Sequence, residues 1–295
     1  MKTLEFGAWN FYTIMKTNFV INMPQMALEA LSENWLFKEL GNLHWEMICD
    51  GLHTKSFDLK NDMGNRLYAT FVRIRIRCAE SLKTFRENDQ ADLHGNISRF
   101  GNSMYFSQML FDAKHTGIKA ELMTTFSIRD AVDNTRLAKS EPDLAVNEVE
   151  MLAKLPDFGN DYRLVKKGVM KELPYEGLMF PVQDDFVFET EYQLNPYYDL
   201  NGVNLLYFAA YPIINDVCEA RFFNMQKKQR WEQSYYTGCK DIMYYANCNI
   251  NDSIIYQLNY CDFISDENIL LCSTLRRKSD GAIIARIFSV KIKEF

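Results

Sequence analysis

Four histidines, His44, His53, His94 and His115, are the first residues to weigh for acid–base or metal chemistry. No two of them stand at metal-pair spacing. The seven cysteines (49, 78, 218, 239, 248, 261, 272) contain no C-x-x-C pair. Zinc and a disulfide framework are therefore not expected, and reduced thiols in a cytoplasm fit best. There is no G-x-S-x-G elbow and no P-loop. The chemistry that remains needs no resident cofactor or metal. Two polar clusters stand where helices are expected to begin. Ser32-Glu33-Asn34 opens one apolar run, and Asp199-Leu200-Asn201-Gly202 opens another. Unpaired N–H groups at a helix start carry partial positive charge, which suits an oxyanion. Ser32 and Asn201 read equally well as simple caps. Asp199 suits a base, a water-orienting carboxylate or plain turn duty. His44, in Leu43-His44-Trp45, reads as a hydrogen-bonded core residue.

The elements that must position these groups repeat along the chain. Residues 18–23 read as a strand leading to Asn22-Met23-Pro24. Apolar residues at 31, 35, 36 and 40 then sit at helical spacing, and Gly41 reads as a kink or an end to that helix's first part. From residue 186 the order returns. Residues 186–194 read as a strand leading to Asn195-Pro196, and a polar loop follows. Val203 to Tyr211 is apolar on nearly all sides and reads as a buried helix, with Pro212 ending or bending it. Strands follow in both halves. The first half offers 66–77, with the strict alternation Arg73-Ile74-Arg75-Ile76-Arg77, then 98–110, 118–128 and 137–140. The second offers 241–247, 254–261, 269–275 and 283–292, the last two joined by a turn at Asp280-Gly281. The region 141–185 holds Pro142, Pro156, Pro174 and Pro181 and a predicted helix at 144–154. Asn22 to Asn195 spans 173 positions and Tyr68 to Tyr244 spans 176. That near-constant offset marks a duplication and makes Tyr244 the approximate counterpart of Tyr68. The expectation is an α+β chain of two units, 1–142 and 181–295, with a connector at 143–180. An antiparallel sheet wrapped around one long buried helix is the hot-dog arrangement, so the whole reads as a double hot-dog. The two helix starts differ in chemistry, so one working site using residues of both units is expected.

The bulk properties narrow the class. Of 295 residues, 47% are hydrophobic and 24% charged, the balance of an ordinary globular chain. Aromatic residues reach 14%, which favours sheet. A net charge of −6 does not suit general nucleic-acid binding. Met1 to Gly7 shows no signal-peptide core, and no run of about 18 apolar residues offers a membrane span. Three basic groupings, Arg73/Arg75/Arg77, Lys227/Lys228/Arg230 and Lys166/Lys167, read as solvated faces or as a docking patch for a phosphate or an acidic partner.

Several segments resemble a known family. They are Met23-Pro24-Gln25-Met26, Leu31-Ser32-Glu33-Asn34-Trp35-Leu36-Phe37-Lys38-Glu39-Leu40-Gly41, Leu67-Tyr68-Ala69-Thr70-Phe71, Ser98-Arg99-Phe100-Gly101, Met123-Thr124-Thr125-Phe126, Asp199 to Ala209 and Asp241 to Tyr245. Spread over nearly the whole chain, they resemble the LnmK-like proteins, the leinamycin-pathway acyltransferase/decarboxylases and related hot-dog proteins of polyketide clusters. The resemblance implies an enzyme that takes methylmalonyl-CoA and acylates itself on a tyrosine. It then delivers the decarboxylated, propionyl-type acyl group to an acyl carrier protein. Coenzyme A enters as the substrate's thioester, with no further cofactor. Tyr68 is the best match for the acylated tyrosine, with Tyr105 a neighbouring alternative. Ser32, Asn34, Thr70, Asp199, Asn201 and Gly202 are the candidates for holding the substrate. A phenol with a pKa of about 10 needs a positive field or a good hydrogen bond to act as a nucleophile. Without the resemblance, a strand tyrosine is a packing residue. Two other readings stay open: a hot-dog thioesterase using Asp199, and a carrier-protein-binding scaffold without turnover. Neither half has the Gly-His-Phe-Pro-Gly run that would suggest a dehydratase. A homodimer is compatible with any of these readings.

Overall fold

The computed structural model describes residues 15–113, 116–130, 132–133, 135–143, 146–226 and 231–294. The Met1 to Gly7 stretch, His115 and the Lys227/Lys228/Arg230 grouping lie outside the described residues. Chain order begins with β1 (Met15–Val20), a short β2–β3 hairpin (Met26–Ala27, Ala30–Leu31) and α1 (Glu33–Gly51). Four long strands follow: β4 (Tyr68–Cys78), β5 (Gln90–Phe100), β6 (Met104–Ala113) and β7 (Thr116–Arg129). The middle of the chain holds β8 (Leu137–Lys139), β9 (Glu150–Met151), α2 (Asp157–Lys166), β10 (Glu172–Tyr175) and β11 (Leu178–Pro181). The last part holds β12 (Phe188–Tyr192), α3 (Tyr211–Met225), α4 (Trp231–Ser234), β13 (Tyr235–Tyr244), β14 (Ile254–Phe263), β15 (Asn268–Arg277) and β16 (Ile283–Lys293).

One antiparallel sheet runs β1-β5-β6-β7-β4-β13-β16-β15-β14-β12. From each outer edge inward the two halves repeat one order. The strand before the helix is followed by the second, third and fourth strands after it, then the first. The halves meet where β4 pairs with β13 over Arg73–Arg77 and Cys239–Met243. Helices α1 and α3 lie on one face. Leu36, Phe37, Leu40, Leu43, Met47 and Ile48 recur at helical spacing and bury α1 against the sheet. Helix α2 and the β10–β11 hairpin cover the opposite face, where Tyr162, Val165, Leu173 and Phe180 pack on Met243, Leu270 and Phe288.

Several expectations are corrected. Gly41 neither kinks nor ends α1. It lies inside the helix, and a Cβ there would stand 2.3 Å from Phe208 Cζ, so glycine lets that ring pack against the helix as it does. Residues 98–110 form a hairpin, since Gly101 turns the chain at φ +66 between β5 and β6. The helix expected at 144–154 is absent from the described part of that range. Leu144 and Ala145 lie outside the described residues, and the helix begins after Pro156. Val203 to Ala210 is a chain of turns, and Pro212 opens α3. Proline suits a first helical turn, where its missing N–H would have no partner anyway. Tyr244 is not the counterpart of Tyr68: Tyr68 begins β4, whereas Tyr244 ends β13, the strand at the equivalent place.

Arg73, Arg75 and Arg77 do share a face, but it is the face covered by α2 and not by solvent. Arg73 is fully buried and Arg75 nearly so. Arg73 Nε donates to Asp241 Oδ1 at 2.9 Å and Arg73 Nη2 to Oδ2 at 2.6 Å, while Arg75 Nε donates to Oδ2 at 2.7 Å. Arg77 pairs with Glu121 at 2.7 Å.

Candidate active site

The seam between the halves is short. Strand β4 pairs with β13 from Arg73 to Arg77 only, and Tyr68 to Phe71 continue past it with β7 as their partner. Beyond Tyr244 the other half turns away into Tyr245–Asp252. The strands splay, and a cavity of about 890 Å³ opens between them. Ligand pockets commonly fall in roughly this range, about 300–1,000 Å³.

Its walls come from both halves. Tyr68, Thr70 and Phe71 of β4 and Thr125, Ser127 and Arg129 of β7 form one side. Tyr207, Phe208, Tyr211 and Tyr244 form the other. The second wall exists because α3 starts late. His44 in α1 hydrogen-bonds Ser107 of β6 at 2.6 Å, and Asn215 in α3 accepts from Ser273 of β15 at 2.6 Å. Strands β6 and β15 hold the same place in the two halves, so these contacts anchor the helices to comparable points. Measured from that anchor, α3 begins about two turns later than α1. The unwound chain is pinned instead by Tyr207 N–H donating to Asp199 O and Leu206 N–H donating to Cys248 O.

The expected site residues separate accordingly. Tyr68, Thr70 and Asn201 line the cavity; Ser32, Asn34, Asp199 and Gly202 do not. Ser32 Oγ accepts from Trp35 N–H and caps α1. Asn34 Nδ2 donates across to the Ala209 carbonyl at 2.8 Å, tying α1 to the turn segment. Asp199 is buried, and its carboxylate accepts from Asn195 N–H at 2.7 Å and the Tyr192 hydroxyl at 3.1 Å. Burial raises its pKa. Asn201 Oδ1 accepts from Val203 and Leu205 N–H groups, so it shapes its own turn. Gly202 has open space where a side chain would stand. Thr70 Oγ1 is 2.5 Å from Ser127 Oγ.

Tyr68 differs from three other tyrosines around the cavity. Tyr162 donates to the Tyr244 carbonyl, Tyr244 to the Phe208 carbonyl, and Tyr211 to the Ala246 carbonyl. Burial pushes the phenols of Tyr162, Tyr211 and Tyr244 up. Tyr68 is half-buried, and among the described residues its hydroxyl has no hydrogen-bond partner. The Arg66 and Arg129 guanidinium groups stand 5.0 and 5.9 Å from its ring centre. Arg129 Nη2 donates to the Val203 carbonyl at 3.0 Å, and its buried Nε has no acceptor among the described residues. Tyr105 lies elsewhere, fully buried beside Phe126, with its hydroxyl accepting from Asn147 at 2.9 Å.

His44 stands behind this wall, 5.6 Å from the Phe71 ring, with Nδ1 against Ser107 and Nε2 against Thr124 at 2.8 Å. Burial alone lowers its pKa to about 3. An unfolded histidine titrates near 6.5, so the unfolded chain takes the proton first. Its contribution to stability is therefore intact above pH 6.5 and is lost progressively as pH falls toward about 3. We expect its ring resonances to show no transition between pH 8 and 5 in an NMR titration. A midpoint between 5 and 7 would contradict this assignment.

None of the seven cysteines forms a disulfide among the described residues. No helix among the described residues is long and apolar enough to cross a membrane. No protein-family model matches the sequence, and no curated sequence is significantly similar to it. Solved structures are similar in fold. A protein assigned as an oleoyl thioesterase from Lactobacillus plantarum superposes with a TM-score of 0.66 at 9% identity, over 95% of this chain and 96% of that one. An acyl-ACP thioesterase from Bacteroides thetaiotaomicron gives 0.56 at 11% identity over 94% and 97%. The 12:0-ACP thioesterase from Umbellularia californica gives 0.55 at 10% over 97% and 100%. The chain thus has the hot-dog fold of these proteins, and at such identities the likeness is one of fold alone.

Proposed function

We propose that the chain is a double hot-dog enzyme acting on acyl thioesters, with its two halves sharing the one cavity at their seam. In this reading Tyr68 takes a malonyl-type acyl group from coenzyme A and gives the decarboxylated acyl group to an acyl carrier protein. The observation that carries it is the Tyr68 hydroxyl, without a hydrogen-bond partner among the described residues, on a ring that two guanidinium groups approach in a cavity walled by both halves.

Tyr68 Oη attacks the thioester carbonyl carbon, the C–S bond breaks, and the phenolic proton leaves with sulfur as the free thiol. The aryl ester that remains is itself activated, because a phenol leaves more readily than an alkyl alcohol. A carrier thiol then takes the acyl carbon by the reverse exchange. Decarboxylation sends the C–C electron pair onto the carbonyl oxygen, and the enolate is protonated at carbon. The buried Arg129 Nε–H has the character of a donor for that oxygen. The fold likeness to thioesterases supports a thioester substrate. The same likeness supports hydrolysis as the second reading, though not through Asp199, whose carboxylate accepts from Asn195 and Tyr192 and does not line the cavity.

Mixing the protein with methylmalonyl-CoA tests the reading. The expected results are CO2 release and an intact-mass increase that peptide mapping places on Tyr68. Free acid with no adduct would favour hydrolysis. Neither product would leave only a binding role.

A further inference from the structure

The sheet continues past Tyr68 on the face that α2 covers. Tyr68 lies opposite Ser127 in β7, and Ser127 lies opposite Lys139 in β8. These three are direct neighbours across three strands and share one face, so the Tyr68 and Lys139 backbones lie two strand spacings apart, roughly 10 Å. Arg129, two residues beyond Ser127, shares that face. Lys166 at the end of α2 lines the same cavity, and its Nζ sits 5.6 Å from the Tyr162 ring and 3.4 Å from the Tyr162 hydroxyl.

The cations at this mouth are not alike. Arg136 pairs with Asp133 at 3.1 Å, and Arg277 pairs with Asp280 at 2.6 Å. Among the described residues, Lys139 and Lys166 have no carboxylate within ion-pair distance, and neither does Arg129. The two ammonium groups also repel each other: burial and the nearby Lys139 charge hold the Lys166 pKa below the usual lysine value. In a protein of net charge −6, two unpaired lysines held together at a cavity rim mark a place where an anion relieves the strain.

We infer that Lys139 and Lys166 bind the phosphate carried by a pantetheine arm whose thioester end reaches Tyr68. The inference rests on the acyl-thioester reading of the cavity. Coenzyme A and a holo-acyl carrier protein both present that phosphate, so the rim serves donor and acceptor by the same contact. Arg129, deeper and nearer Tyr68, faces the acyl end.

Calorimetric titration of coenzyme A, dephospho-CoA, 4′-phosphopantetheine, pantetheine and a holo-acyl carrier protein tests it. Both lysines are exposed, so the variant K139Q/K166Q is expected to fold, and K139R/K166R restores the charge. The glutamine pair should bind coenzyme A and 4′-phosphopantetheine about tenfold or more weakly than wild type, in line with the loss of charge-assisted hydrogen bonds. Pantetheine should bind both proteins alike, and the arginine pair should bind as wild type does. A loss seen with coenzyme A and not with the carrier assigns the rim to loading. A loss with the carrier alone assigns it to delivery, and a loss with both assigns it to each. Unchanged affinity for coenzyme A and for the carrier would overturn the inference, as would a loss confined to the 3′-phosphate and absent with dephospho-CoA. These are binding measurements, so they separate from the fate of the Tyr68 adduct. No adduct with lysine-dependent binding removes the reaction and keeps the phosphate site; an adduct with lysine-independent binding does the opposite.

Discussion

Tyr68→Phe is expected to abolish the acyl adduct outright while leaving the protein folded. The substitution removes the one oxygen that the proposed reaction esterifies. It removes no hydrogen bond to a described residue, and the ring keeps its contacts with Arg66 and Arg129. Stability should therefore move by no more than about 0.5 kcal/mol, the usual range for a change without a structural partner. Transfer to the carrier should fall to the uncatalysed level, because Tyr68 Oη is the atom that carries the acyl group in the proposed reaction. The Thr70 and Ser127 hydroxyls are engaged with each other. Tyr105→Phe is the informative contrast. It leaves Asn147 without its acceptor and costs about 1 kcal/mol, yet the adduct should form at the wild-type rate. Arg129→Gln should slow acylation by about 10–100-fold without abolishing it, since one electrostatic donor is lost and the nucleophile stays. Intact-mass time courses on the three variants read all of this. An adduct that persists in Tyr68→Phe, or one that maps to Tyr105, would remove Tyr68 from the mechanism.

The sequence displayed the scaffold more clearly than the register. Alternation at Arg73–Arg77 places three side chains on one face whatever covers that face, so the strand was legible. The cover was not, because α2 and the β10–β11 hairpin come from distant sequence and bury Arg73 completely. The near-constant offset between halves agrees with the repeated strand order, yet it matched Tyr68 to Tyr244. Loops of unequal length shift such an offset, and only strand pairing restores it. The result is informative in itself, since both tyrosines line one cavity from opposite halves. The run Val203 to Tyr211 read as a buried helix because it is apolar on all sides. Leu205, Leu206, Ala209 and Ala210 are indeed buried, but in a turn segment whose Leu205 and Leu206 line the cavity. Apolarity reports burial and not backbone shape; Pro212 was the local sign of where the helix starts. Lys139 carried no local sign at all. Its relation to Tyr68 exists only through Ser127, the residue both strands flank.

Asp241→Ala should destabilise the fold by about 3–5 kcal/mol, the cost of removing one partner from a buried charge cluster. Asp241 is almost completely buried, and Arg73 and Arg75 both donate to it. Their charges hold its carboxyl down to about 2, against the opposing effect of burial. Without it, Arg73 keeps the Phe158 carbonyl at 2.6 Å and the Phe158 ring at 4.3 Å, with Asp161 at 3.8 Å. Those contacts do not neutralise a fully desolvated guanidinium. The sign with pH follows from the lowered value. The contribution of Asp241 is full above the ordinary aspartate pKa of about 3.9 and is lost as pH falls toward about 2. The cluster also spans the seam, since Arg75 lies opposite Asp241 and Arg73 opposite Met243. Breaking it loosens the strands next to where they splay, so the cavity mouth should loosen with it. Urea unfolding should show a lower midpoint for Asp241→Ala. The triple variant Arg73→Met/Arg75→Met/Asp241→Leu should recover most of the loss, because it removes the stranded charges as well. A triple variant no more stable than the single one would mean that the arginines act mainly by packing under α2. A single variant as stable as wild type would show that the seam does not depend on this charge. In either case the two halves would be held by Ile74, Ile76 and Ile242 in the apolar core between sheet and helices, and the asymmetry of charge across the seam would need another role.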